Sequence, residues 1–183
     1  MKITETSLPG VLLLSPRRFG DARGFFAETW NLRTLTQAGV ELPEFVQDNH
    51  SFSAAKGTVR GLHYQAPPHA QGKLVRCGRG SLLDVAVDAR VSSPHYGKWV
   101  AKVLSYENGD QLWVPPGFLH GFVTLEDDTE IVYKCTDYYF PECDGAVHFA
   151  SVGIEWGIDT TAAVLSAKDA AAPQFGEWSS PYI

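Results

Sequence analysis

The sequence predicts an all-β domain in which many short antiparallel strands form a sandwich or barrel, with a jelly roll as the favoured version. Three observations lead to this fold class. Seventeen Gly and eleven Pro are spread along the 183 residues instead of being massed in one tract. Aromatic residues are frequent, and from Thr58 onward strand-like segments follow one another almost without interruption. A chain of this length suits a single domain, residues 1–183, with a sizeable core.

Local patterns predict the individual elements. In residues 83–88, Leu and Val alternate with Asp and Ala, which is typical of a half-buried strand. A short helix is expected over residues 32–38, capped by Asn31 and ended by Gly39. A second helical turn is expected between Ser166 and Pro173. The other predicted strands cover residues 11–14, 24–30, 98–104, 111–114, 121–125 and 130–135.

Charge and cysteine content exclude several classes of protein. The net charge of −6 argues against nucleic acid or an anionic membrane as a partner. Cys77, Cys135 and Cys143 form no CxxC motif and indicate free thiols in a reducing compartment. No signal peptide is evident, and no apolar stretch approaches the roughly 20 residues that span a bilayer. The sequence therefore predicts a cytoplasmic protein.

The densest group of polar residues lies in residues 57–65. On a regular strand Val59, Gly61, His63 and Gln65 would share one face, with Arg60 on the other. Because Gly61 stands between them, a β-bulge there would bring Arg60 and His63 toward one ligand. A single His or Arg on a strand is more often an ordinary packed or surface residue.

A second group, residues 113–122, contains a Pro-x-Gly-x-x-His pattern that ends at His120 and resembles the second motif of cupins. The first cupin motif requires a His-x-His pair and a Glu, whereas this chain has His63-Tyr64-Gln65. Gln is a poor ligand for a transition metal, so we predict no metal site. Without a metal, His63 is free to titrate as a general base near neutral pH.

Two further segments supply the remaining groups for proton transfer beside a carbonyl. Ile131, Tyr133 and Cys135 fall on one strand face that we expect to point inward. Tyr133, which is protonated at neutral pH, could donate a proton, and Asp169 could orient His63. Taken singly, Tyr133 is more often a core residue and residues 165–169 an ordinary helix start.

Together these segments resemble the dTDP-4-dehydrorhamnose 3,5-epimerase family over nearly the whole chain. The resemblance implies a homodimeric, metal-free cupin jelly roll, or double-stranded β-helix, with a few short helices and no cofactor. It implies conversion of dTDP-4-dehydro-6-deoxy-D-glucose to dTDP-4-dehydro-L-rhamnose. The likeness is weaker over residues 143–158. The matching segments are residues 19–28, 47–51, 60–63, 70–76, 84–88, 93–94, 111–113, 117–125, 133–134, 138–139 and 165–169.

The resemblance also implies roles for individual residues. His63 would be the proton acceptor, Tyr133 the proton donor and Asp169 the partner of His63, while Lys73 would lie near the keto oxygen. Tyr139 would stack on the thymine ring. Substrate contacts would come from Arg23, Phe26, Glu28, Gln47, Asn49, Arg60, Lys73, His120, Tyr139, Asp144 and Lys168.

Three alternatives remain open at this point. A mono-epimerase of the same family, acting at C3 only or C5 only on a related dTDP-4-keto-6-deoxy sugar, could use the same residues. A cupin that binds a nucleotide sugar without catalysis is a rival from another class. A metal-dependent cupin oxygenase is a third, which the amide at Gln65 disfavours.

Overall fold

The computed structural model describes all 183 residues, Met1–Ile183, and is built mainly of β-strands. The strands are β1 Lys2–Glu5, β2 Leu12–Ser15, β3 Arg18–Asp21, β4 Gly24–Ala27, β5 Gln47–Ser53, β6 Val59–Gln65, β7 Lys73–Arg79, β8 Ser81–Asp88, β9 Trp99–Ser105, β10 Gln111–Val114, β11 Phe118–Thr124, β12 Thr129–Cys135 and β13 Asp144–Ala146. Six of them form one sheet in the order β1-β2-β10-β7-β12-β5, and five form a second in the order β13-β6-β11-β8-β9. Strands β3 and β4 pair separately as a hairpin. The predicted all-β jelly roll is confirmed.

The main core lies between the two sheets. Val75 and Ile131 from the six-stranded sheet pack with Leu82, Ala86 and Phe122 from the five-stranded sheet, and all are at most 5% exposed. Two further clusters cover the outer faces of the sheets. One packs Leu14, Leu35, Leu74 and Trp113 together, and the other joins the five-stranded sheet to the C-terminal segment.

Strand β8 is buried on both faces, so the prediction of a half-buried strand is wrong. Val85 and Val87 pack outward against Phe149 and Trp156 of the C-terminal segment. The inward Asp84 is also fully buried. The alternation of apolar and polar residues marked two different buried environments, because a distant segment covers the face that a simple sandwich would leave in solvent.

A β-bulge in β6 changes which side chains face inward. His120 of β11 lies opposite His63 and Phe122 lies opposite Arg60, so β6 has one extra residue between these pairs. Gly61 has a φ of +125°, and a Cβ added there would approach the backbone of Gly121 to 2.6 Å. Only glycine fits this position.

The bulge resets the alternation of side chains along β6. Val59, Leu62 and Tyr64 pack in the outer cluster, whereas Arg60 and His63 share a cleft. The regular-strand grouping of Val59 with His63 is therefore wrong, and the predicted convergence of Arg60 and His63 through a bulge is confirmed.

Two short helices lie where the sequence predicts them. Helix α1, Leu32–Gln37, begins after Asn31, whose side chain accepts a hydrogen bond from the Thr34 N–H. Helix α2, Ala167–Ala170, begins after Ser166, which accepts from the Asp169 N–H at 3.1 Å. The strand predicted over residues 24–30 ends at Ala27. No helix is long and apolar enough to cross a membrane.

Candidate active site

A cavity of about 180 Å³ lies between the inner faces of the two sheets. It is lined by Gln47, Asn49, His63, Tyr64, Gln65, Gln71, Lys73, Tyr133, Tyr139 and Asp144. A second cleft of about 290 Å³ lies next to this cavity, and His63 lines both spaces. Arg60, Lys168 and Asp169 border this second cleft. The two spaces together bring most of the predicted site residues to one region of the molecule.

His63 is held by a short hydrogen bond to a buried carboxylate. Its Nε2 lies 2.6 Å from Asp169 Oδ1, and the two side chains are 31% and 4% exposed. Burial alone raises the pKa of Asp169, but the hydrogen bond and charge of His63 and a hydrogen bond from Ser166 outweigh it and lower that pKa below its ordinary value. An ionised Asp169 accepts the Nε2 proton, so the Nδ1 lone pair is the free basic position of the neutral imidazole.

Tyr133 points into the cavity from β12, in the sheet opposite His63. Burial, followed by the nearby Cys135 thiol, raises the pKa of Tyr133 above its ordinary value, and Arg60 and Asn49 act in the opposite direction. The phenol is therefore protonated at neutral pH and is a proton donor. The inward orientation of Ile131, Tyr133 and Cys135 is confirmed by their packing.

Lys73 brings a cation to the same cavity from β7. Burial lowers the pKa of its ammonium, while the charges of Asp144 and Asp84 favour the protonated form and Lys168 opposes it. Desolvation strengthens the interaction of such a cation with a negative charge that forms beside it. Lys73 is thus suited to stabilise an oxyanion in the cavity.

His120 forms a second, more deeply buried pair. Its Nε2 lies 2.8 Å from Asp84 Oδ1, and the side chains are 10% and 0% exposed. The other oxygen of this carboxylate, Asp84 Oδ2, has no hydrogen-bond partner. The sequence singled out His120 but not Asp84, whose acidic side chain at an alternating position was interpreted as exposed.

Polar groups at the rim form a connected set. Lys168 Nζ donates to Asp144 Oδ2, and Tyr139 Oη donates to the same oxygen at 3.4 Å. Tyr139 is 55% exposed, which leaves its side chain accessible to a planar ligand. Arg60 donates to Ser53 Oγ and to the Phe52 carbonyl oxygen.

Four predicted substrate contacts line neither the cavity nor the adjoining cleft: the buried His120, described above, and three residues that lie elsewhere in the chain. Arg23, Phe26 and Glu28 belong to the β3–β4 hairpin or directly follow it, and none lines the cavity or the adjoining cleft. The Arg23 side chain is 89% exposed and pairs with Asp21 of the same hairpin. Within one chain the structure does not bring these three residues to His63.

The donor set of the cavity does not suit a transition metal. The Gln65 amide is used by the backbone: its Nε2 donates to the carbonyls of His69 and Tyr138, and its Oε1 accepts from the Phe140 N–H at 2.9 Å. The imidazoles of His63 and His120 are each bonded to their own aspartate. No group of three or more His, Cys, Asp or Glu side chains is arranged to hold a metal ion.

Cys135 and Gln71 also lie around the cavity and were not among the predicted site residues. Cys135, 1% exposed, accepts a hydrogen bond from Asn49 Nδ2 at 3.5 Å. Gln71 lines the cavity and donates to the Asp137 carbonyl. The inward register shared by Cys135 and Tyr133 was the signal for the first, and Gln71 lies in the family-like segment of residues 70–76, in which only Lys73 was assigned a role.

Comparison of the sequence with known proteins points to one family. The sequence model described as dTDP-4-dehydrorhamnose 3,5-epimerase matches residues 5–177. The dTDP-4-dehydrorhamnose 3,5-epimerase of Salmonella typhimurium is 50% identical over 175 residues, 94% of either chain. That of Sinorhizobium fredii is 51% identical over 183 residues, covering 97% of this chain and 91% of the relative.

Solved structures give the same result for the fold. The dTDP-6-deoxy-D-glucose-3,5-epimerase of Legionella pneumophila, crystallised with dTDP-4-keto-L-rhamnose, superposes with a TM-score of 0.91 at 41% identity, covering 97% of this chain and 94% of that one. A 3'-monoepimerase from Streptomyces bikiniensis in complex with dTDP-quinovose is more distant, with a TM-score of 0.85 and 32% identity over 93% and 86% of the chains. The chain belongs to the dTDP-4-dehydrorhamnose 3,5-epimerase family.

Proposed function

We propose that this protein is a dTDP-4-dehydrorhamnose 3,5-epimerase in which His63 is the base and Tyr133 the acid. One observation carries this assignment. His63 projects from the five-stranded sheet and Tyr133 from the six-stranded sheet, and both line the same cavity. A sugar ring bound between the sheets therefore has a proton acceptor on one face and a proton donor on the other, which is the arrangement that inversion requires.

The reaction follows from these positions. His63 Nδ1 takes the proton from a carbon next to the C4 ketone, and the C–H electron pair moves into the carbonyl to give an enolate. Lys73 stabilises the enolate oxygen, and Asp169 stabilises the imidazolium that forms. Tyr133 then delivers its proton to the same carbon from the opposite face. His63 releases its proton to solvent and the Tyr133 phenolate regains one, which readies the site for the second carbon.

The cationic groups at the cleft support binding of the dTDP part of the substrate. Arg60 and Lys168 offer charge-assisted hydrogen bonds to a diphosphate, and Tyr139 offers an exposed ring for the thymine. These contacts explain how a chain with a net charge of −6 could hold an anion. The three free thiols accord with a cytoplasmic location.

Incubation with dTDP-4-dehydro-6-deoxy-D-glucose in deuterated water, followed by NMR, tests the proposed reaction. We expect deuterium at both C3 and C5 of the product. Label at one carbon only would establish the mono-epimerase, a candidate that the similarity to the Streptomyces bikiniensis 3'-monoepimerase favours. No label at either carbon, with dTDP still bound, would establish a non-catalytic binding protein.

The Tyr133→Phe variant separates the acid from the base. This variant should still remove the substrate proton but fail to return one from the opposite face, so isotope exchange should persist without net inversion. The phenyl ring preserves the packing of Tyr133. Normal epimerisation by the variant would show that another group is the acid.

We further propose a homodimer in which the β3–β4 hairpin of one chain completes the site of its partner. The proposal rests on the position of Arg23, Phe26 and Glu28, which the family resemblance assigns to the substrate and which lie outside this chain's own cavity. Phe26 is 69% exposed, as expected of a contact that one chain does not supply. Mixing inactive His63→Ala and Arg23→Ala proteins should restore activity through mixed dimers. A monomer by light scattering, or no complementation, would contradict this arrangement.

A further inference from the structure

Strands β5 and β12 bring two amide side chains beside the proposed acid. Asn49 lies directly opposite Tyr133 in the strand pairing, and Gln47 lies opposite Cys135. Asn49, Gln47 and Tyr133 all line the cavity. The two amides are therefore fixed next to Tyr133 by the register of the sheet, before any substrate binds.

A backbone N–H sets the direction of the hydrogen bonds among these side chains. The Tyr139 N–H donates to Gln47 Oε1 at 3.0 Å, and because a backbone N–H can only donate, the carbonyl end of Gln47 must face it. Gln47 Nε2 then donates to Asn49 Oδ1 at 3.1 Å. This bond occupies the carbonyl end of Asn49 and turns its Nδ2 toward Cys135, whose Sγ lies 3.5 Å away. Tyr133 is the strand partner of Asn49, and hydrogen bonding by Asn49 lowers the pKa of the phenol, as a donated N–H does.

The orientation of the Asn49 amide matters for proton delivery. A carbonyl oxygen facing the phenol would accept the Tyr133 O–H, and the proton would then be directed away from the substrate. An N–H facing the phenol oxygen leaves the O–H free to point at the substrate carbon. The same N–H stabilises the phenolate that remains after proton transfer, because hydrogen bonds to a charged acceptor are stronger than neutral ones.

The buried surroundings of Tyr133 disfavour its phenolate, so a hydrogen bond from Asn49 affects how readily the phenol ionises. Burial and Cys135 raise the pKa of Tyr133, and only Arg60 and Asn49 lower it. The other titratable groups facing the cavity are His63, Tyr64, Lys73, Tyr139 and Asp144. Of the two groups that lower the pKa of Tyr133, Arg60 acts through its charge and Asn49 is uncharged. The effect of Asn49 on this pKa therefore depends on which end of its amide faces the phenol oxygen.

We infer that Gln47 and Asn49 are positioning residues for the acid. The Tyr139 N–H orients the Gln47 amide, Gln47 orients the Asn49 amide, and Asn49 presents an N–H to Tyr133, which keeps the phenol O–H directed at the substrate. The inference rests on the proposed role of Tyr133 as acid and assigns these two amides a task beyond contact with the nucleotide. It also links the loop that carries the rim residue Tyr139 to the acid inside the cavity.

Two uncharged substitutions of similar size test the inference. Asn49→Leu removes the N–H donor, and Gln47→Met removes the bonds that orient Asn49. In each variant the ionisation of Tyr133 is measured without substrate by following phenolate absorbance against pH. The same titration of a protein that also carries Tyr133→Phe is subtracted, which leaves the signal of Tyr133. We expect the Tyr133 titration to move to higher pH in both, and kcat to fall about tenfold in Asn49→Leu. The effect in Gln47→Met should have the same sign and be smaller.

Ser51→Ala is the matched control. Ser51 lies on the same inward face of β5, two residues after Asn49, and its buried Oγ has no hydrogen-bond partner. This variant should titrate and turn over as the unmodified protein does, and thermal unfolding should verify that all variants are folded.

Each outcome bears on the inference. A Tyr133 titration that stays in place in the folded Asn49→Leu and Gln47→Met variants would overturn it, even if kcat or KM changes through lost substrate contacts. An equal shift in Ser51→Ala would also overturn it, because any change on β5 would then suffice. The readout is separate from the proposed function: normal epimerisation by Tyr133→Phe would refute Tyr133 as acid and leave the titration result standing.

Discussion

His63 and His120 lie directly opposite each other on β6 and β11, and each forms a hydrogen bond with an aspartate, yet their surroundings differ. The His63 side chain is 31% exposed and lines two connected spaces, whereas the His120 side chain is 10% exposed and lines neither. Asp169 reaches His63 from helix α2, whereas Asp84 lies within strand β8.

This contrast shows that an imidazole–carboxylate pair does not by itself define a base. A base needs a free ring nitrogen that substrate can reach, and the His63 ring, which lines both spaces and uses Nε2 for its bond to Asp169, suits that requirement. His120, with a buried carboxylate on one side and little open surface, is better suited to maintain the barrel wall behind the site. The two pairs should therefore respond differently to the same substitution.

The largest difference should appear when each histidine is replaced by Ala. His63→Ala should lower the rate of substrate deuterium exchange by about 10²- to 10⁴-fold, because it removes the base, and leave dTDP binding nearly unchanged. His120→Ala should instead reduce the free energy of unfolding by about 3 kcal/mol, since Asp84 loses its only side-chain partner. Exchange kinetics and urea denaturation of both variants measure the contrast. Exchange at the normal rate in His63→Ala would refute the mechanism.

A smaller difference should separate the two aspartates. Asp169→Asn keeps a group that can bond His63 but removes the charge that stabilises the imidazolium, so kcat should fall about 10²-fold. Asp84→Asn should lower kcat less than tenfold, because Asp84 does not touch the proposed base. Steady-state kinetics with both variants decides the order, and a larger loss in Asp84→Asn would reverse the roles assigned to the two pairs.

The smallest effect concerns the dependence of stability on pH. The pKa of Asp169 is lowered in the folded protein from an ordinary value of 3.8, so the carboxylate binds protons more weakly when folded than when unfolded. Its contribution to stability is therefore fully present above about pH 4 to 5 and is lost as the pH falls through the lowered pKa. Urea midpoints between pH 7 and pH 3 should converge for the unmodified protein and Asp169→Asn as the pH falls. A constant gap would mean that Asp169 is not linked to folding.

Several elements could be predicted closely because short-range signals define them. The strand at Gln111–Val114 has the predicted bounds, and α1 begins after Asn31 as its capping residue indicates. The inward face of β12 follows from the alternation of Ile131, Tyr133 and Cys135. In each case the deciding interactions lie within a few residues along the chain.

Other features could not be predicted, because they depend on segments far apart in the sequence. The outer face of β8 is buried by Phe149 and Trp156, and no pattern within residues 83–88 indicates that cover. Which side chains of β6 point inward depends on the bulge at Gly61, where this strand approaches Gly121 of β11. The buried pairing of Asp84 depends on His120, which lies 36 positions away in the sequence.

The sequence by itself determined the all-β class, the N-cap of α1 and, through its likeness to a known family, the choice of His63, Tyr133, Lys73 and Asp169 as the proposed catalytic residues. These follow from local periodicity, capping and residue types in a fixed order. The tertiary structure decided that the proposed base and acid face each other from opposite sheets, that Asp169 approaches His63 across 106 residues, and that a hydrogen-bonded pair of amides lies beside Tyr133. Such relations depend on strand register and sheet packing, which are set by the burial of the whole core and not by any single segment.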